Sequence, residues 1–124
     1  MTTYGKELIL DLHNCNKELM NKETIEVYFK ELCNLIDMEA VKAEYWVEDE
    51  GMNKAEYDAN PHLQGTSAVQ FIKTSNITIH TISGLGNVYL NIFSCKDFDA
   101  RLAEGFSIAF WEGQKVNCLV LDRV

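Results

Sequence analysis

The chain has 124 residues, 47% of them hydrophobic, with a formal net charge of −8 and a pI near 4.8. That length fits one domain with one modest core, and the apolar content sets the chain apart from disordered sequences. An acidic chain with no Lys/Arg cluster argues against nucleic acid as a partner, and no apolar run approaches a membrane span. The opening MTTYGKELILDL lacks the basic and apolar regions of a signal peptide, so the sequence reads as cytoplasmic. Its four cysteines, 15, 33, 95 and 118, form no CxxC or zinc-ligand spacing. In that compartment they are expected to be reduced, with Cys15, Cys33 and Cys118 as small core residues.

In chain order, residues 6–15 alternate as a strand, with Leu8, Leu10 and Leu12 on one face. Residues 22–37 carry Ile25, Tyr28, Phe29, Leu32, Cys33, Leu35 and Ile36 at helical spacing, with Asn21 as the N-cap. A strand is expected at 40–47. The polar, acidic stretch 48–65 holds the only proline and reads as a long loop. Strands follow at 66–73 and 76–82. A turn at SGLGN then leads into a strand at 88–94, which makes a hairpin with 76–82. Residues 96–113 read as a helix weakened by Gly105, and KVNCLVLDRV as a closing strand. This order predicts an α+β two-layer sandwich: one antiparallel sheet with the helices on one face.

Polar side chains able to do chemistry concentrate in GTSAVQFIKTSNITIHTISG, which holds Ser67, Thr74, Ser75, Asn76 and His80. On the residues alone, a histidine on a strand is ordinary structure. Ser75 and His80 lie five apart, so strict alternation puts them on opposite faces unless a turn or bulge intervenes near 75–76. No nucleophile elbow, phosphate loop or HExxH motif is present.

Four segments resemble the short bacterial and archaeal type of S-adenosylmethionine decarboxylase. YGKELILDLHNC is similar to that family's GRHLixDxxxC opening, and GTSAV to its GvSGV loop. TSNITIHT is similar to its ESHisIHT box, and NVYLNIFSC to its yaavDvFTC strand. The resemblance runs in order from Gly5 to Cys95 and puts Ser67, Ser75, His80 and Cys95 on the register of family functional residues.

The resemblance implies a proenzyme in which Ser75 attacks the Thr74 carbonyl to form an ester. Elimination then leaves a pyruvoyl cofactor, derived from Ser75, at the head of the downstream fragment. It also implies that His80 assists the elimination, that Ser67 assists processing, and that Cys95 returns a proton to the product carbon. Such a carbonyl condenses with a substrate amine and withdraws electrons as CO2 leaves. A homodimer with its site near the subunit interface is implied as well.

Some positions depart from the family pattern. Thr74-Ser75-Asn76 replaces Glu-Ser-His, Glu7 replaces the opening histidine, and Ile82 and Gly84 stand where HTWPE carries its aromatic and acid. Those last two residues are associated with the nucleoside. The sequence therefore admits three readings. The first is S-adenosylmethionine decarboxylation for polyamine synthesis. The second is the same chemistry on a basic amino acid such as ornithine or arginine, with Glu48, Asp49, Glu50, Glu56 and Asp58 near its side chain. The third is an unprocessed paralogue that binds a ligand or partner. Tyr4, Phe93, Trp46 and Trp111 offer aromatic surface, and they, like His13 and His62, receive no role.

Overall fold

The computed structural model describes residues 2–47 and 51–124. Six strands form one sheet in the order β2-β3-β4-β5-β1-β6. They are β1 (Gly5–His13), β2 (Ala40–Trp46), β3 (Thr66–Ile72), β4 (Ser75–Ile82), β5 (Asn87–Ser94) and β6 (Gln114–Arg123). Every neighbouring pair is antiparallel. The helices are α1 (Lys22–Leu35), α2 (Lys54–Ala59) and α3 (Ala100–Trp111).

The sheet is amphipathic because its strands alternate. Leu8, Leu10 and Leu12 of β1, Ile77 and Ile79 of β4, and Val88, Leu90 and Ile92 of β5 all point to one side and are buried. The predicted face of α1 covers them, through Ile25, Tyr28, Phe29, Leu32 and Cys33. From α3 come Ala103 and Trp111, both fully buried. Each fully buried aliphatic or aromatic side chain here contributes about 1.5–3 kcal/mol. Asn21 caps α1 by accepting the Thr24 N–H at 2.9 Å, as its position predicts. Both long helices therefore lie on one face of an antiparallel sheet, which is the expected architecture.

Three local expectations need correction. Segment 48–65 is not a plain loop: Asn53 caps α2, and a 3-10 turn follows at Pro61–Leu63. Glu56 and Asp58 lie on α2, whereas Glu48, Asp49 and Glu50 lie outside the described residues. The last helix begins at Ala100 rather than 96, because Asp99 accepts the Leu102 N–H at 3.0 Å and sets the start. Cys118 lies at the margin of the core rather than inside it: β6 is an edge strand, and the thiol is half-buried, packed against the core beside Glu104 of α3.

The opposite face of the sheet is free of both long helices, α1 and α3. It presents Trp46, Ser67, Val69, Phe71, Thr78, His80, Tyr89, Phe93, Leu119 and Leu121, a mixed face with Phe71, Leu119 and Leu121 each more than two-fifths exposed.

Candidate active site

The four candidate residues fall into two pairs on different rows of the sheet. Ser67 pairs with His80 across β3 and β4, and their Oγ and Nδ1 atoms are 2.9 Å apart. The imidazole tautomer sets which of the two donates. The row continues to Trp46 on one side and Tyr89 on the other, all on the face opposite the long helices. Two hollows flank the pair. One, of about 280 Å³, includes Trp46, Met52, His62, Leu63 and Ile82 in its wall. The other, of about 350 Å³, adds Glu44 and Val69. His62, unassigned from sequence, thus lines the same hollow as His80.

The second pair lies at the other end of β4. Ile72 and Ser75 are partners across a two-residue turn made by Lys73 and Thr74, and Ser75 also faces Ser94. The backbone at Ser75 has φ 154°, on the side of conformational space that favours glycine. A residue held in a sparsely populated backbone region costs on the order of 1–3 kcal/mol and persists only where its surroundings dictate it. Here the surroundings are explicit. The Cys95 N–H donates to the Thr74 carbonyl at 3.1 Å, and the Lys73 N–H donates to the Glu39 carbonyl at 2.9 Å. That same Thr74 carbonyl is the one a Ser75 hydroxyl would attack, so a backbone donor already sits where negative charge would develop.

Cys95 is exposed and follows directly after β5. The chain can pass close beside it because residue 5 is glycine: a Cβ there would come within 2.3 Å of the Ser94 carbonyl and 2.9 Å of the Cys95 Cα. Tyr4, Gly5, Lys6, Cys95 and Asp97 line a polar cleft of about 370 Å³. Hydrogen bonding to Cys95, then the charge of its thiolate, pushes the Tyr4 phenol above its ordinary pKa. Lys6, 2.7 Å from Asp97, holds that carboxyl below its ordinary range through a hydrogen bond and then through its charge.

No bulge interrupts β4, so alternation holds along it. Ser75 keeps the register of Ile77 and Ile79 on the helix side, while His80 faces away. Five residues of strand separate the two by roughly 17 Å. One chain therefore brings Ser75 to Cys95 and Ser67 to His80, but does not bring the two pairs together. Sequence reasoning passed over Tyr4 as a neighbour of Cys95. It also passed over Met38 and Ser94, which touch Thr74. Ser94 stood inside a quoted motif, whereas Met38 carried no signal.

Glu7, at the position of the family's opening histidine, is bound to Asn91 and to Arg123 on the face opposite the long helices. Gly84 has no space for a side chain: a Cβ would meet the Pro61 carbonyl at 2.2 Å and Gln64 Oε1 at 2.9 Å.

Comparison with known proteins adds the following. The sequence model of a family described as S-adenosylmethionine decarboxylase matches residues 6–124. A protein of Caldicellulosiruptor saccharolyticus named S-adenosylmethionine decarboxylase proenzyme is 33% identical over 96 residues, covering 77% of this chain and 67% of that protein. One of the same name from Clostridium botulinum is 34% identical over 99 residues, covering 78% and 74% respectively. The crystal structure of an adenosylmethionine decarboxylase from Aquifex aeolicus superposes with a TM-score of 0.79 at 17% identity, over 99% of this chain and 92% of the other, a likeness of fold.

Proposed function

Since the chain belongs to the S-adenosylmethionine decarboxylase family, we propose that it cuts itself between Thr74 and Ser75 and uses the resulting pyruvoyl group to decarboxylate S-adenosylmethionine. The observation that carries this reading is the backbone at the cut: a serine at φ 154° whose preceding carbonyl accepts the Cys95 N–H at 3.1 Å. The relatives named as proenzymes support it.

The chemistry balances without a co-reactant until the last step. The Ser75 hydroxyl adds to the Thr74 carbonyl, the C–N bond breaks, and the hydroxyl proton passes to the freed amine. The amide thereby becomes an ester. Loss of the Ser75 α-proton then expels the Thr74 carboxylate, and water replaces the nitrogen, which leaves as ammonia. Strain at Ser75 favours the first step, and the Cys95 N–H steadies the charge that builds on the Thr74 oxygen. In the mature protein the pyruvoyl group supplies an electron sink for loss of CO2. The exposed Cys95 thiol, beside Tyr4, is positioned to return a proton to the product carbon.

The base for the elimination must come from elsewhere, since His80 of the same chain lies roughly 17 Å along the strand. A homodimer is the arrangement this reading calls for, with one copy's Ser67–His80 pair serving the strand end that carries the other's Ser75 and Cys95. Exposed Phe71, Leu119 and Leu121 on the sheet face opposite the long helices fit burial in such an interface.

Intact-mass spectrometry of fresh and aged protein is the test. Two fragments, residues 1–74 and 75–124, are expected, the second blocked at its N-terminus. A wild-type chain that stays whole and releases no CO2 leaves the unprocessed-paralogue reading in its place.

One observation favours a second substrate. The Pro61–Leu63 turn occupies the space over Gly84, so the carboxylate associated with the nucleoside has no room there. Decarboxylation of a basic amino acid, such as ornithine or arginine, by the same group is the second reading. Separate CO2-release assays on S-adenosylmethionine, ornithine, arginine and lysine distinguish the two.

A further inference from the structure

The turn that carries the cut is held by a clamp that the four candidate residues do not include. Thr74 Oγ1 lies 2.7 Å from Ser94 Oγ, and each hydroxyl also reaches Met38 Sδ, at 3.6 and 3.7 Å respectively. Ser94 is fully buried and Met38 nearly so. Two hydroxyl protons serve this triangle. One hydroxyl donates to the other, whose own proton goes to the thioether, a weak acceptor that ends the chain. Ser94 Oγ further accepts the Lys96 N–H at 3.0 Å. Lys96 in turn reaches back to Asp37, donating to its carbonyl at 2.6 Å and to its carboxylate at 2.8 Å. The segments 37–39 and 94–96 thus grip Thr74 from two sides.

The consequence falls on the reacting bond. A clamp on the Thr74 side chain fixes its peptide plane, and the Thr74 carbonyl meets the Cys95 N–H one residue beyond Ser94. The residue before the cut is glutamate in the family box that this sequence resembles. A threonine hydroxyl is short enough to close the triangle with Ser94 and Met38.

We propose that Ser94, acting through Thr74 and Met38, is a positioning residue for self-cleavage that holds the Thr74 carbonyl on the Cys95 N–H for attack by Ser75. This inference rests on the self-cleaving reading above. It concerns the first step, attack, and not the elimination that follows.

The test follows fragment formation by intact mass after synthesis in wild type, Thr74→Val, Thr74→Ser and Ser94→Ala, with thermal melts of each. Thr74→Val keeps the shape of the side chain and removes the hydroxyl. Displacement of a reacting group by a fraction of an ångström to one ångström costs up to about 100-fold. Thr74→Val and Ser94→Ala are therefore expected to cut about 10–100-fold more slowly, while Thr74→Ser cuts near the wild-type rate. Hydroxylamine, which cleaves esters and spares amides, separates positioning for attack from a general loosening. The slowed species should be hydroxylamine-resistant, since it waits as the amide. Wild-type rates in Thr74→Val beside a wild type that cuts would overturn the inference alone. So would a slowed variant that accumulates a hydroxylamine-labile ester. A wild type that never cuts overturns the reading beneath it and the inference together.

Discussion

Replacing Ser75 by glycine and by alanine makes a pair that isolates the backbone at the proposed cut. Neither variant has a nucleophile, so both stay whole and are compared as one-chain species. Alanine keeps the Cβ that disfavours φ 154°, and glycine removes it. Relief of a residue in a sparsely populated region is worth about 1–3 kcal/mol. Glycine gives back about 0.4–1 kcal/mol through the larger freedom of its unfolded chain. The net expectation is that Ser75→Gly is more stable than Ser75→Ala by about 0.5–2 kcal/mol. For a chain of 124 residues each kcal/mol moves Tm by roughly 3–5 °C. Thermal melts and urea titrations at matched protein concentration read the difference, the matching being needed because self-association also shifts Tm. Equal stability, or a more stable alanine variant, would refute the claim that this backbone is strained.

Three other outcomes are expected. Cys95→Ala should still form both fragments but lose most CO2 release, and full activity in that variant would remove the thiol from the mechanism. Co-expressing Ser75→Ala with His80→Ala should restore cleavage of the His80→Ala chain, because a mixed dimer holds one complete set of residues. Intact mass reads this, and no rescue would count against a shared site. Burial pushes the Cys15 and Cys33 thiols up to about 11 from an ordinary value of 9.0. Above pH 9 the unfolded chain loses these protons while the folded chain keeps them, so Tm should fall between about pH 9 and 11. Cys33→Ala should flatten part of that decline, and an unchanged slope would refute the assignment.

The sequence made the covered face of the sheet legible because burial there follows strict periods. Leu8, Leu10 and Leu12 alternate, and Ile25, Tyr28, Phe29 and Leu32 recur every three or four residues. Segment 48–65 lacked such a period because α2 buries nothing, although Asn53 followed by Glu56 was a start signal in the sequence. Cys118 reaches only the margin of the core because β6, an edge strand, is apolar on both faces while largely exposed. Alternation correctly put Ser75 and His80 on opposite sides. The family motif grouped them with Ser67 and Cys95, and nothing in linear spacing distinguishes residues that meet within one chain from residues that meet between copies. Met38 was beyond reach for another reason: its contact with Thr74 joins positions 36 residues apart through a thioether with no motif of its own.

The strand order β2-β3-β4-β5-β1-β6 would give the proposed cut after residue 74 a lasting effect on folding. The upstream fragment would own β1, β2 and β3, and the downstream fragment β4, β5 and β6. These do not separate into two blocks, because β1 is threaded between β5 and β6 and paired to both. The fragments would stay interlocked after the peptide bond is gone. The uncut chain finds this arrangement as a unimolecular event. Once cut and denatured, it must find it by collision of two fragments, at a rate that falls with dilution. Maturation would then erase the protein's ability to refold from within itself: the sheet would keep a shape that only its uncut ancestor could assemble alone.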